Sequence, residues 1–367
     1  MRFHVVKREN CPLIKKCGLY VAAVALALLM GALLLLALGV DPIAYYTRMF
    51  TMGTIGNKIA YKTYINYLKE FVPLALTSVA LSLAFKMRFW NIGGEGQFIL
   101  GAISAAMVAF KLGPILPNGL TLLVMCLAAM VVAGLYGLGV AALKVKFGTN
   151  ETLMTLMLNY VAVYILNYIG ETKAEWNFFL QADSQRPVFE KFASIVSFPS
   201  IPMGKNFTLN VCVILTLLIG VIVFVYLKYT KHGFEINVVG DSAGTARYAG
   251  MKVNTIVLRT VFLSAALIGL AAAFKVGTAG VLSTSITDDV GWTGIIVAWL
   301  SQLNTGAIFV VSALISVLNF GSVQAATTFA QVDSSFANML QGVILFLILA
   351  ADFFIRFRIV RVKKGGK

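Results

Sequence analysis

The chain has 367 residues, is 59% hydrophobic and only 12% charged, and carries a formal charge of +15. An ordinary soluble domain is about 25% charged, so this composition, with a mean hydropathy of +0.86, leaves too little polar surface for a water-soluble globule. The apolar residues are blocked: Val21 to Leu38 and Val211 to Leu227 contain no charged residue, and runs of that length can cross about 30 Å of hydrocarbon as helices. The expected fold is all-α, a polytopic membrane protein with about ten transmembrane or half-spanning helices, because lipid tolerates no unpaired backbone polar groups.

In chain order, residues 1–18 read as a basic cytoplasmic tail. The apolar block at 19–40 is longer than a 7–15-residue signal-peptide core, which predicts a retained helix. Further apolar blocks lie at 71–86, 97–112, 119–143, 152–170, 209–229, 256–276, 292–303, 306–326 and 338–357. Those at 71–86, 97–112 and 292–303 are short and interrupted by glycine, so half-helices, re-entrant segments or short buried spans are expected there. Residues 19–357 form one membrane domain, and 358–367 a second basic cytoplasmic tail.

Two polar connections stand out, 171–207 and 228–254. Lys and Arg are retained on the cytoplasmic side of a membrane. An inside N-terminus with alternating segments puts Lys86, Arg88, Lys144, Lys146, Lys228, Lys231 and both basic tails inside. Both termini and the 228–254 loop are then cytoplasmic, and 171–207 is external. The positive charge is this topology signal; no basic and aromatic interleaving suggests nucleic acid. Cys11, Cys17, Cys126 and Cys212 lack CxxC spacing and neighbouring histidines, so they read as fillers and free thiols with no metal role.

Two segments place polar residues against apolar runs. Asn91-Ile-Gly-Gly-Glu-Gly-Gln97 offers Asn91, Glu95 and Gln97 where three glycines allow close backbone approach and where a lone charge at membrane depth costs about 2.5–3.5 kcal/mol. It reads either as a capped cytoplasmic turn or as part of a transport path. Asp288-Asp-Val-Gly-Trp-Thr-Gly294, with Trp292 and Thr293, is a second interrupted segment; such pairs in opposed halves suggest an inverted repeat around a path. No GxxxxGK[ST] phosphate loop occurs, so the chain has no P-loop means of binding ATP, and no HExxH or GxSxG constellation suggests an enzyme. His4 and His232 are too few for a metal cluster. An ion-coupled secondary transporter would need intramembrane ionisable groups; Glu95, Lys275, Asp288 and Asp289 lie near segment ends.

Arg88-Phe-Trp-Asn-Ile-Gly-Gly-Glu-Gly-Gln-Phe98 resembles the signature of permease subunits from ABC importers of the simple-sugar and nucleoside type, relatives of ribose and branched-chain amino acid permeases. Three further segments agree in order: Asn150-Glu-Thr-Leu-Met-Thr-Leu-Met-Leu-Asn-Tyr160, Val239-Gly-Asp-Ser-Ala-Gly-Thr-Ala-Arg-Tyr-Ala-Gly250, and Gly291-Trp-Thr-Gly-Ile-Ile-Val-Ala-Trp299. The resemblance implies a multi-pass inner (cytoplasmic) membrane subunit that is not itself an enzyme. It implies no cofactor on this chain, with ATP-Mg on a partner ABC ATPase. A second homologous permease, or a second copy, and an extracytoplasmic solute-binding protein complete the implied assembly. Candidate path residues are Asn91, Glu95, Gln97, Asn159, Trp292 and Thr293. Gly240, Asp241, Ala246, Arg247, Tyr248, Ala249 and Gly250 match the segment that seats on the ATPase. A nucleoside is the favoured solute, with a sugar or branched-chain amino acid as alternatives.

Overall fold

The protein is described by a computed structural model covering residues 2–7, 12–57, 59–193, 196–204, 206–329, 331–333 and 335–362. Cys11, Arg8 and the tail residues 363–367 lie outside the described residues. The first elements are strand β1 (Arg2–Lys7), helix α1 (Leu13–Ala37) and the short helix α2 (Pro42–Phe50). Asp41 caps α2 by accepting the Ile43 N–H, with Pro42 in the first turn, where its missing N–H costs nothing. Then follow α3 (Ala60–Lys86), α4 (Gly94–Leu112), α5 (Asn118–Phe147) and α6 (Glu151–Glu171). After the 171–207 connection come β2 (Ser200–Pro202), β3 (Thr208–Asn210) and α7 (Val211–Tyr229). Helices α8 (Lys231–Asp241), α9 (Ala243–Tyr248), α10 (Val253–Ala279), α11 (Val290–Leu300), α12 (Thr305–Ala326) and α13 (Ser335–Arg356) lead to β4 (Phe357–Val362).

Nine helices among the described residues are long and apolar enough to cross a membrane. The all-α polytopic fold is therefore as expected. Two of the three blocks expected to be short are full length, however: α3 has 27 residues and α4 has 19. The first half of α3 carries Lys62, Lys69 and Glu70, which hid it from a hydropathy reading. Of the three, only α11, with 11 residues and hence about 16 Å of rise, is too short to span.

The chain divides into two compact units, Met1–Thr63 with Ile315–Lys367, and Tyr64–Leu314. In the first, α1 packs on α13 and β1 pairs antiparallel with β4, from Arg2↔Val362 to Lys7↔Phe357. Its interior includes Tyr45, whose hydroxyl lies 2.7 Å from that of Ser322.

In the second unit, α10 packs most extensively on α5 and α4, and α4 also packs on α6. Small residues allow this: a Cβ added at Gly101 of α4 would sit 2.8 Å from the Gly269 Cα of α10, and one at Gly269 only 2.2 Å from the Ala129 carbonyl of α5. Helices in lipid lack a hydrophobic drive to associate and rely on such close backbone approach. The three central helices are buried over most of their apolar length, 83% for α3, 72% for α10 and 61% for α4, against about a third for α5, α6 and α7. A β2–β3 hairpin, register Ser200↔Asn210 to Pro202↔Thr208, closes the 171–207 connection.

Candidate functional site

The site begins where the chain turns back after α3. Arg88 takes a left-handed φ of 57°, and residues 89–93 lead without helix to Gly94. Asn91 is fully buried and exchanges both amide hydrogen bonds with Gln97, each at 3.1 Å, while its Oδ1 also accepts the Gly93 N–H. Asn159, on α6, accepts the Gly96 N–H at 2.8 Å and donates to the Ile92 carbonyl at 2.9 Å. One turn earlier on the same face, the Thr155 hydroxyl accepts the Ile92 N–H. Two buried amides, Asn91 and Asn159, and a hydroxyl thus satisfy the backbone of a non-helical connection, with Gln97 holding the Asn91 amide in place, the condition for irregular chain at membrane depth.

Glu95, in the first turn of α4 and 5% exposed, reaches across to the start of α11. Its Oε2 accepts the Gly291 N–H at 2.9 Å, and the Trp292 N–H and Thr287 hydroxyl also hydrogen-bond to its carboxylate. The N-termini of α4 and α11 therefore meet at one carboxylate, which neutralises the partial positive charge of both helix ends. The approach is close: a Cβ at Gly94 would lie 3.6 Å from the Gly291 Cα. The two glycine-interrupted segments, nearly 200 residues apart in sequence, form a single junction. Trp292 is 37% exposed and Thr293 is buried. Near the junction, Trp299 stacks on Trp90 with centroids 5.2 Å apart and planes 13° from parallel, and Phe85 packs against both.

Behind the junction, the Lys275 ammonium of α10 lies 2.8 Å from Glu70 of α3 and 2.8 Å from Asp288 before α11. Sequence reading placed Lys275 and Asp288 only near segment ends; their pairing, like the role of Thr155, required the fold. Thr155 did carry a signal, since it stands four residues before Asn159 and so shares its helix face.

The 228–254 connection is mostly helical. Thr230 caps α8 and Ser242 caps α9 through their hydroxyls. The Arg259 guanidinium, 2.9 Å from Glu235, ties α8 to α10, and this hydrogen bond holds the Glu235 carboxyl below its ordinary range. Gly240 packs against the Lys86 carbonyl, where a Cβ would be 2.1 Å away. Ala246 is fully buried, whereas Tyr248 is 97% exposed and Arg247, Ala249 and Gly250 are also exposed; Gly250 takes φ +78°. Asp241, Arg247 and Val253 line a groove of about 380 Å³ with Arg88 and Lys144.

Residues 63–349 match the family described as branched-chain amino acid transport system, permease component. The chain is 29% identical over 362 residues to a glucose ABC transporter permease protein of Haloferax volcanii, covering 96% of this chain and 92% of the relative. It is 27% identical to a guanosine ABC transporter permease protein of Bacillus subtilis, covering 94% and 96%. It is also 27% identical to a nucleoside ABC transporter permease protein of Lactococcus lactis subsp. cremoris, covering 82% of each. No solved structure matches the chain.

Proposed function

The chain belongs to the permease-component family of branched-chain amino acid transport systems, and from that premise we propose that it forms the translocation path for a nucleoside in an ABC importer. It is a multi-pass membrane permease of the ABC type. The observation that carries the path is the junction itself: an 11-residue helix ends inside the unit, its N-terminus facing that of α4 across Glu95. Discontinuous helices whose N-termini meet at depth mark solute paths in transporters. In this reading Trp292 and Thr293 face the solute, and Glu95, Asn91, Gln97 and Asn159 hold the frame around it.

Two of the relatives above are named for guanosine or nucleosides, which supports a nucleoside over a sugar; the Haloferax relative keeps a sugar as the second reading. The outward side of α9, with Arg247, Tyr248, Ala249 and Gly250, is the proposed seat of a separate ATPase carrying ATP-Mg. Gly240, Asp241 and Ala246 hold that helix in place. A second permease chain and an extracytoplasmic solute-binding protein complete the assembly, with both termini on the cytoplasmic side. Of the carboxylates that an ion-coupled transporter would offer a cation, Glu95 and Asp288 are already engaged by protein partners, which disfavours that mechanism.

The test is reconstitution in liposomes of this chain with the ATPase, permease and binding-protein products of neighbouring genes. Guanosine or inosine should stimulate ATP hydrolysis and accumulate inside. Stimulation by glucose alone, or by leucine alone, would overturn the nucleoside assignment; uptake driven by a proton or sodium gradient without any ATPase would overturn the ABC mechanism.

A further inference from the structure

Lys275 is buried, yet it holds two carboxylates at 2.8 Å from two different places, Glu70 on α3 and Asp288 in the segment leading to α11. Burying one ammonium between two acids is a poor way to gain stability, because the desolvation of the charges offsets much of their attraction. The second acid has another use. Asp288 and Asp289 take φ values of 44° and 57°, a left-handed stretch that non-glycine residues avoid, directly before the first helical residue of α11. Asp289 gives α11 no side-chain cap; the helix start is fastened instead by Glu95 on its N–H groups and by Lys275 on Asp288.

We propose that Lys275 is a positioning residue for transport, a latch in which Asp288 is the arm that releases α11 and Glu70 the arm that stays. The asymmetry of the triad supports this. The Asp288 side chain is 50% exposed and that of Glu70 34%, while that of Lys275 is only 9% exposed. If Asp288 lets go, its carboxylate is already near water, and Lys275 keeps Glu70, so no buried charge is left unpaired. Release would also relieve the left-handed pair and free α11 to tilt about the Glu95 contact. The inference rests on the permease reading for its consequence, but the latch itself is a property of the purified chain.

The experiment therefore has two readouts. In a cysteine-free background, Ile286→Cys lies in the segment before α11 at a position that is 4% exposed. Its maleimide labelling in purified protein should be slow. Adding Asp288→Asn or Lys275→Met should raise the rate about tenfold, the size expected of a modest shift in a local opening equilibrium, while Lys275→Arg should keep it slow. In the reconstituted transporter, the same Asp288→Asn and Lys275→Met variants should hydrolyse ATP with less solute moved per ATP, and Lys275→Arg should restore the ratio. Equal labelling rates in Lys275→Met and Lys275→Arg would overturn the latch whatever the solute proves to be. A labelling difference with no nucleoside transport in any variant, wild type included, would instead leave the latch standing and sink the nucleoside reading. Should Asp288→Asn fail to reach the membrane, the Lys275→Met and Lys275→Arg pair still decides.

Discussion

At the scale of single residues, the junction is built from contacts with no slack. A Cβ at Gly291 would lie 2.3 Å from the Glu95 backbone nitrogen and 2.5 Å from its Cα, so the backbone of one helix end must move to admit it. Overpacking of this kind costs about 1–3 kcal/mol. Gly291→Ala is expected to lower the melting temperature in detergent and to abolish uptake. Gly139→Ala in α5, where a Cβ meets nothing within 4 Å, should be neutral or stabilising, by up to about 1 kcal/mol. Asn159→Leu should cost about 1–3 kcal/mol for each of the two backbone groups left unpaired, Gly96 N–H and Ile92 C=O; a melting curve equal to wild type would show that water replaces the amide. These residues were legible in the sequence because polar side chains are conspicuous among apolar ones. Their partners were not. Which hydroxyl meets which backbone group depends on helix packing, and Glu95 reaches Gly291 across 196 positions, a separation that no local pattern encodes.

At the scale of elements, hydropathy located the helices well but misjudged those whose charges are paired in three dimensions. Helix α3 runs eleven residues further toward the N-terminus than the apolar block at 71–86, and the Glu70 that seemed to end the block is held by Lys275. Helix α9 shows the complementary limit. The sequence marks 240–250 as one docking segment, whereas the fold splits it into an inward side with Gly240 and Ala246 and an outward side with Arg247 and Tyr248. A six-residue helix has too few residues for periodicity to reveal its buried face. The consequence is a pair of opposite expectations. Tyr248→Ala should leave the amount of protein in the membrane unchanged and weaken pull-down of the ATPase, because a protruding aromatic is the kind of side chain that anchors an interface. Ala246→Trp should reduce the folded amount itself, since the indole has no room. Normal ATPase association and uptake in Tyr248→Ala would remove α9 from the coupling contact.

At the scale of the whole chain, the proposed side of its two ends constrains the number of membrane crossings. Strands β1 and β4 pair along Arg2–Lys7 and Phe357–Val362, immediately before α1 and after α13, which supports the proposal that both ends lie on one face of the membrane. That demands an even number of crossings. Nine helices among the described residues are long enough to cross, and the parity is completed only if the 280–304 stretch, with the short α11 at its centre, carries the chain over once more as a broken span. Such a broken span can exist only because protein surrounds its non-helical part, which is what Glu95 and Lys275 provide. Basic residues suggest the sense: Lys144, Lys146, Lys228 and Lys231 flank the ends of α5, α7 and α8, and the retention of Lys and Arg on the cytoplasmic side supports the proposal that 228–254 is inside and 171–207 outside. Single cysteines at Ala182 and Ala243, both exposed, test this in a cysteine-free background, Ala243 being preferable to Ser242 because the Ser242 hydroxyl caps α9. An impermeant maleimide applied to intact cells should label Ala182→Cys and spare Ala243→Cys until the membrane is opened. Tags on both ends should be protected from external protease in the same cells. Labelling of both cysteines from one side would mean that α7 does not separate the two connections, whereas exposure of only one tag would mean that α11 does not serve as the tenth crossing, and the junction at Glu95 would then have to be placed at the membrane surface instead of within a path.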